Sequence, residues 1–187
     1  MPARHPVRWL MTDERQGERL WPALERLPRG AGVIFRHYRT AVAERRALFA
    51  RVRRVARRRG LVLVLAGGES WRGATGRHAR RGRGVVTWPA HDRREALAAV
   101  RAGADVVLVS PVFATRSHPG VRTLGLWRAA AVARGLSVTV IALGGMDERR
   151  WRRVAALGFD GYAAIDAWSG PSPRTFRIRS GTTKVVG

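Results

Sequence analysis

Two apolar runs, each cut off by residues that forbid regular continuation, constrain this chain more than any other feature. Val106–Val109 is followed by Pro111, and the run 138–143 stops at Gly144 and Gly145, with Asp147 placed to cap a helix. Continuous Val/Ile/Leu runs of this length suit parallel strands covered on both faces. A glycine pair between such a strand and a capped helix frees backbone N–H groups, a common phosphate cradle. The same glycines are also what any tight strand-to-helix turn requires, so both readings stand at this level.

Similar runs recur along the chain. Residues 7–12 read as a first strand, 33–35 as a second, 61–65 as a third and 85–88 as a fifth, closed by Pro89. Val106–Val109, 138–143 and 162–165 are the sixth to eighth, and only a weak fourth can be placed, near 75–79. Helical stretches fall at 20–27, 41–59, from His91 and Asp92 to 102, 124–134 and 147–157. In the second of these, Leu48, Val52, Val55 and Arg59 form one stripe flanked by Phe49 and Ala56, leaving most arginines for the solvated face. Alternating strands and helices with fully apolar strands require a parallel sheet and right-handed crossovers. Eight units predict an α/β protein with a single (β/α)8 barrel over residues 1–187. A doubly wound parallel sheet is the alternative, because the fourth strand is so poor. Residues 170–187 read as a Pro/Ser/Thr/Gly-rich tail with a possible edge strand at 175–179.

Composition narrows the function classes. The 187 residues carry a net charge of +23, and all 36 basic residues except Lys184 are arginine. That charge favours anionic ligands or nucleic acid. Its spread along the whole chain fits arginine-rich codon usage equally well. Without cysteine, neither disulfides nor thiolate metal sites can form. No apolar run approaches the roughly 18 residues of a membrane span. The first residues, MPARHPVRWLMTD, lack a signal-peptide core, which makes the cytoplasm the expected location.

Barrel chemistry sits at the C-terminal ends of the strands. That rule selects Thr12 and Asp13, then Arg36, His37 and Tyr38, then 66–69, His91, 111–118, Gly144 to Met146, and Asp166. Bases and hydroxyls dominate this set, and its carboxylates and histidines come from separate strands, which argues against a metal cluster.

At these positions the chain resembles the thiamine-phosphate synthases and their thiazole-tautomerase relatives, which are (β/α)8 barrels. The family's sixth-strand segment, roughly G-A-D-Y-x-x-x-G-P-V-F-x-T-x-T-K, is matched by GADVVLVSPVFATRSH. Its V-x-A-I-G-G-I is matched by VIALGGM, and its G-x-A-x-x-S-A by GYAAIDA. The strand-one I-T-D is echoed by Met11, Thr12 and Asp13, and the S-x-H after strand five by Pro89, Ala90 and His91. The resemblance implies an enzyme that joins a pyrimidine diphosphate to a thiazole phosphate, expelling magnesium-bound pyrophosphate. It implies a diphosphate clamp at Arg36 and catalytic roles for Arg36, Ser117 and His118. It also implies ligand contacts at Thr115, His91 and Asp166, and a phosphate cradle at Gly144 and Gly145.

The family pattern is departed from at the metal. Its Asn-Asp after strand three aligns with Ala66 and Gly67, and the segment around Gly76, Arg77 and His78 has no acidic residue. Mg2+ is therefore expected from the family but has no matched ligands, and no metal residue is assigned. The clamp glutamine and lysine after strand two are Ile34 and Tyr38, and the lysine after strand six is His118. Asp166 replaces a serine beside the phosphate and should repel it unless protonated or turned away. The expected partner is a small-molecule phosphate or diphosphate. A non-catalytic or regulatory binding protein for such ligands is the alternative, and nucleic-acid binding a third reading. Oligomeric state is not indicated.

Overall fold

A computed structural model of the chain describes residues 5–115 and 120–168. Eight parallel strands close into a barrel in sequence order: β1 (Arg8–Met11), β2 (Gly32–Phe35), β3 (Val62–Ala66), β4 (Gly76–His78), β5 (Val85–Ala90), β6 (Val106–Val109), β7 (Thr139–Leu143) and β8 (Gly161–Ala164). β8 returns to pair with β1, through Arg8 with Tyr162, Trp9 with Ala163 and Leu10 with Ala164. Closure removes the doubly wound alternative. The helices are α1 (Leu20–Arg26), α2 (Val42–Arg59), α3 (Arg93–Arg101), α4 (Gly125–Ala133) and α5 (Glu148–Val154). No helix among the described residues is long and apolar enough to cross a membrane. The expected tail and edge strand, 170–187, lie outside the described residues.

The barrel interior is filled by Trp9, Met11, Ile34, Val64, Ala66, Val106, Leu108, Ile141 and Ala163, all nearly or fully buried. Outside it lie two further cores, one under α1 and α2 and one under α3 to α5. Both faces of the strands are therefore covered, which is why they read as unbroken apolar runs.

Local structure refines the sequence expectations at four places. A 3-10 segment, Glu14–Arg19, precedes α1; Asp13 caps it and Gln16 reciprocates, forming a capping box. The buried stripe of α2 is Arg45, Phe49, Val52 and Ala56, with Leu48, Val55 and Arg59 only partly buried on its flanks. The weak fourth strand exists, paired on both sides, as Gly76–His78. β5 does not close at Pro89 but runs through it to Ala90. The Val86 and Ala90 carbonyls accept from the β6 side, whereas the Thr87 carbonyl accepts from Ala79 beyond β4. Pro89 shares the orientation of Thr87, toward a neighbour whose strand has already ended, so its missing N–H costs no ladder bond.

Two aspartates clasp strand starts at the opposite end of the barrel. Asp105 donates its N–H to the Val86 carbonyl, while its Oδ2 accepts from the Val86 N–H at 2.8 Å. Asp160 does the same to Val140, its Oδ2 accepting at 2.7 Å. Elsewhere the alternation of strand and helix lapses: the links 67–75 and 79–84, on either side of β4, contain no helix.

Candidate functional site

The C-terminal strand ends surround a cavity of about 490 Å³. Arg36, His91, Thr115, Gly144, Gly145 and Asp166 all line it, although they come from five different strand ends. Ser117 and His118 lie outside the described residues. Much of the remaining wall is apolar, from Met11, Pro89, Pro111, Val121, Leu143 and Ile165. A ring-bearing ligand with an anionic end matches such a wall.

Arg36 follows β2 and is held at two nitrogens. Its Nε donates to the Thr12 carbonyl at 3.1 Å, and its Nη2 to Asp13 Oδ2 at 3.0 Å. The Arg36 N–H donates to Thr12 Oγ1, which also meets His37 Nδ1 at 2.9 Å. Burial pushes the Asp13 carboxyl up, but hydrogen bonds from Arg15, with the charges of Arg15 and Arg36, outweigh it and hold it below the ordinary value. Asp13 is thus committed to two guanidiniums.

The glycine pair is required by a close approach. Gly144 has φ 96°, and a Cβ there would stand 2.7 Å from Pro111 Cα. At Gly145, φ 59°, it would stand 2.4 Å from the Ala114 carbonyl oxygen. Val112 and Phe113 donate to the Leu143 and Gly144 carbonyls, so the β6 and β7 loops pack backbone to backbone. Among the described residues, the Gly145 and Met146 N–H groups meet no backbone acceptor. Arg150, which the sequence reading did not single out, donates to the Gly145 carbonyl and lies 5.2 Å from the Phe113 ring centroid. A side chain at Gly145 therefore disturbs loop packing as well as any cradle.

His91 Nδ1 donates to the Ser110 carbonyl at 2.8 Å, which fixes the ring at the rim. His78 has a different character. It is 6% exposed, lines the same cavity, and its Nδ1 meets Thr87 Oγ1 at 2.9 Å. Only its place in the segment aligned with the family's fourth strand hinted at it. Burial, with a smaller contribution from the charge of Arg36, pushes its imidazole down to about 4. The ring is neutral in the fold but charges in the unfolded chain below the ordinary imidazole range. No penalty applies above about pH 6.5; it accrues as pH falls and levels off near 4, reaching on the order of 3 kcal/mol. Chemical denaturation of His78→Gln against the unmodified chain at pH 7 and pH 4.5 measures this. The variant is expected to lose less stability on acidification; equal losses would refute the assignment.

The donor set does not fit a magnesium ion. Ala66 and Gly67 occupy the carboxylate positions, Asp13 is committed, and the Glu69 carboxylate pairs with Arg45 at 2.7 Å. Among the described residues no three His, Asp or Glu side chains gather as a metal group. Arg45 itself went unnoticed in the sequence. Its side chain is 4% exposed and donates to the Arg36 and Ala66 carbonyls, linking the ends of β2 and β3 behind the cavity.

Residues 67–168 match the family described as thiamine monophosphate synthase. A thiamine-phosphate synthase from Chloroflexus aurantiacus is 38% identical over 79 residues, 42% of this chain and 37% of that protein. One from Pyrococcus furiosus is 34% identical over 86 residues, 46% of this chain and 42% of that protein. The chain spans about two fifths of the length of the curated relatives it matches. Among solved structures, a thiamine phosphate pyrophosphorylase from Pyrococcus furiosus superposes with TM-score 0.72 at 22% identity, covering 88% of this chain and 87% of that one. FabK from Thermotoga maritima superposes at 0.65 and 18% identity, over 89% of this chain and 62% of that one. At such identities the structural likeness speaks for the fold.

Proposed function

This chain belongs to the thiamine monophosphate synthase family, and from that premise we propose that its barrel mouth takes a pyrimidine diphosphate and a thiazole phosphate. The observation that carries the reading is convergence: Arg36, His91, Thr115, Gly144, Gly145 and Asp166, from five strand ends, line one cavity with an apolar wall. In this reading Arg36, fixed by Thr12 and Asp13, meets the diphosphate. The N–H groups at Gly144 and Gly145 receive the thiazole phosphate, with Arg150 beside them adding positive charge. Thr115 contacts the thiazole, and Ser117 and His118 keep the roles that the resemblance gives them.

Joining the two rings requires a diphosphate leaving group to depart with several negative charges, which fixed cations must stabilise. Without a fitting carboxylate set, arginine is the cation the site supplies. The second reading, binding without turnover, rests on the same missing carboxylates. Product formation from the two substrates separates them.

Isothermal titration with a pyrimidine diphosphate, with and without chelator, tests the ligand assignment. Arg36→Ala is expected to weaken binding at least tenfold, about 1.4 kcal/mol, while chelation changes it little. Intact affinity in Arg36→Ala would remove the clamp assignment, and a tenfold loss on chelation would reveal a metal site.

A further inference from the structure

The flank around β4 differs from the rest of the barrel. Between Glu69 and Asp92 the chain has five arginines and no acidic residue. The helix-less links 67–75 and 79–84 fold over a second cavity of about 290 Å³, lined chiefly by Ser70, Trp71, Arg77, Arg80, Arg81 and Arg83. It shares no lining residue with the barrel mouth, so Arg36 and these arginines belong to two separate cavities.

Two of its guanidiniums, those of Arg77 and Arg80, are held by hydrogen bonds, and among the described residues none of the four is neutralised by a carboxylate. Arg77 donates to the Glu69 carbonyl and to Ser70 Oγ, and Arg80 donates to the Gly68 carbonyl at 2.7 Å. Gly82 lies against the Arg77 stem, where an added Cβ would stand 2.6 Å from Cγ. The turn before it passes through Ala79 at φ 57°, a left-handed conformation uncommon outside glycine. Arg81 and Arg83 are exposed, and among the described residues neither has a carboxylate partner. Four like charges around one concavity, with carbonyls as their only fixed partners besides Ser70, repel one another until an anion enters. Guanidinium forks match phosphate oxygens in geometry.

We propose that this flank is a second ligand site, taking an anion of two or more linked phosphates, distinct from the ligand of the barrel mouth. The cavity's size suits a di- or oligophosphate rather than an extended strand. The phosphodiester backbone of a nucleic acid offers related chemistry, so the test includes it.

Calorimetric titration of the full chain with inorganic pyrophosphate provides that test. Arg81→Gln/Arg83→Gln is expected to lower affinity at least tenfold at a class of site that Arg36→Gln leaves intact. Arg54→Gln/Arg57→Gln, an equal loss of charge on the exposed face of α2, should change it less than twofold. Arg81→Lys/Arg83→Lys, which keeps the charge but not the fork, should fall between. The proposal is overturned if the Arg81/Arg83 pair has no effect, if the α2 pair costs as much, or if Arg36→Gln removes all binding. It is likewise overturned if a single-stranded oligonucleotide binds through Arg81 and Arg83 while pyrophosphate does not.

Discussion

Trp9→Ala is expected to cost about 4 kcal/mol, the middle of the range for emptying a buried aromatic site. For a chain of this size that corresponds to a fall in melting temperature of roughly 8–16 °C. Trp9 is fully buried inside the barrel, and its Nε1 donates to the Pro6 carbonyl at 2.6 Å. The strand neighbours in register are Gly32 and Ala163, two of the smallest residues available. A Cβ at Gly32 would lie 2.1 Å from the Trp9 ring, so the indole occupies the volume those residues leave. Neither register neighbour has a side chain large enough to fill the void, which keeps the cost high. Thermal unfolding of Trp9→Ala and of Trp9→Phe measures it, the latter expected to lose about half as much. A loss below about 1 kcal/mol in Trp9→Ala would mean that the barrel collapses around the vacancy.

Arg45→Ala is expected to cost about 3 kcal/mol. Breaking a buried pair typically costs 3–5 kcal/mol, and the partial exposure of Glu69 places this one at the low end. Three separate losses contribute: the Glu69 carboxylate at 2.7 Å, the Arg36 carbonyl at 2.8 Å and the Ala66 carbonyl at 2.5 Å. The guanidinium also lies 5.0 Å from the Trp71 ring centroid and 5.7 Å from that of Phe35. Glu69→Gln, which keeps a hydrogen-bond acceptor, should cost about 1 kcal/mol or less. Denaturant titration compares the two. Equal losses would place the stabilisation in the charge pair alone, and the link between the β2 and β3 ends would then be incidental.

What could be read from the chain follows from which residues carry their information locally. Val106–Val109 and the run ending at Gly144 announced their strands because apolar side chains were needed on both faces. Asp92 and Asp147 announced helix starts, and each accepts from the backbone N–H three residues on. β4 had no such signal: Gly76 has no side chain to pattern, and its pairing is supplied wholly by β3 and β5. Arg45 was hidden for a different reason. In a helix crowded with arginines, nothing in the residue type separates the one that turns inward from those that face water. The site divided in the same way. Arg36, His91 and the glycine pair were found through motifs, whereas His78 required the barrel to be closed before its side chain had an inside to face.

The Asp105 and Asp160 clasps bear on an ambiguity that the hydrophobic pattern leaves open. β6, Val-Val-Leu-Val, presents apolar side chains to both faces, so a shift along its neighbour hardly changes what is buried. A shift by two residues would even return each side chain to its original face. The clasp opposes the one-residue shift, because Asp105 Oδ2 accepts from the N–H of Val86, the first residue of β5 but one, which faces β6. A one-residue slip would bring Val85 or Thr87 opposite Asp105, and the carboxylate would lose its donor because those residues face β4. Two polar side chains at the far end of the barrel thus set the phase of the strands whose opposite ends form the cavity. The alignment of Ser110 with His91 and of Gly144 with Pro111 is fixed from about five residues away, by groups that never approach a ligand.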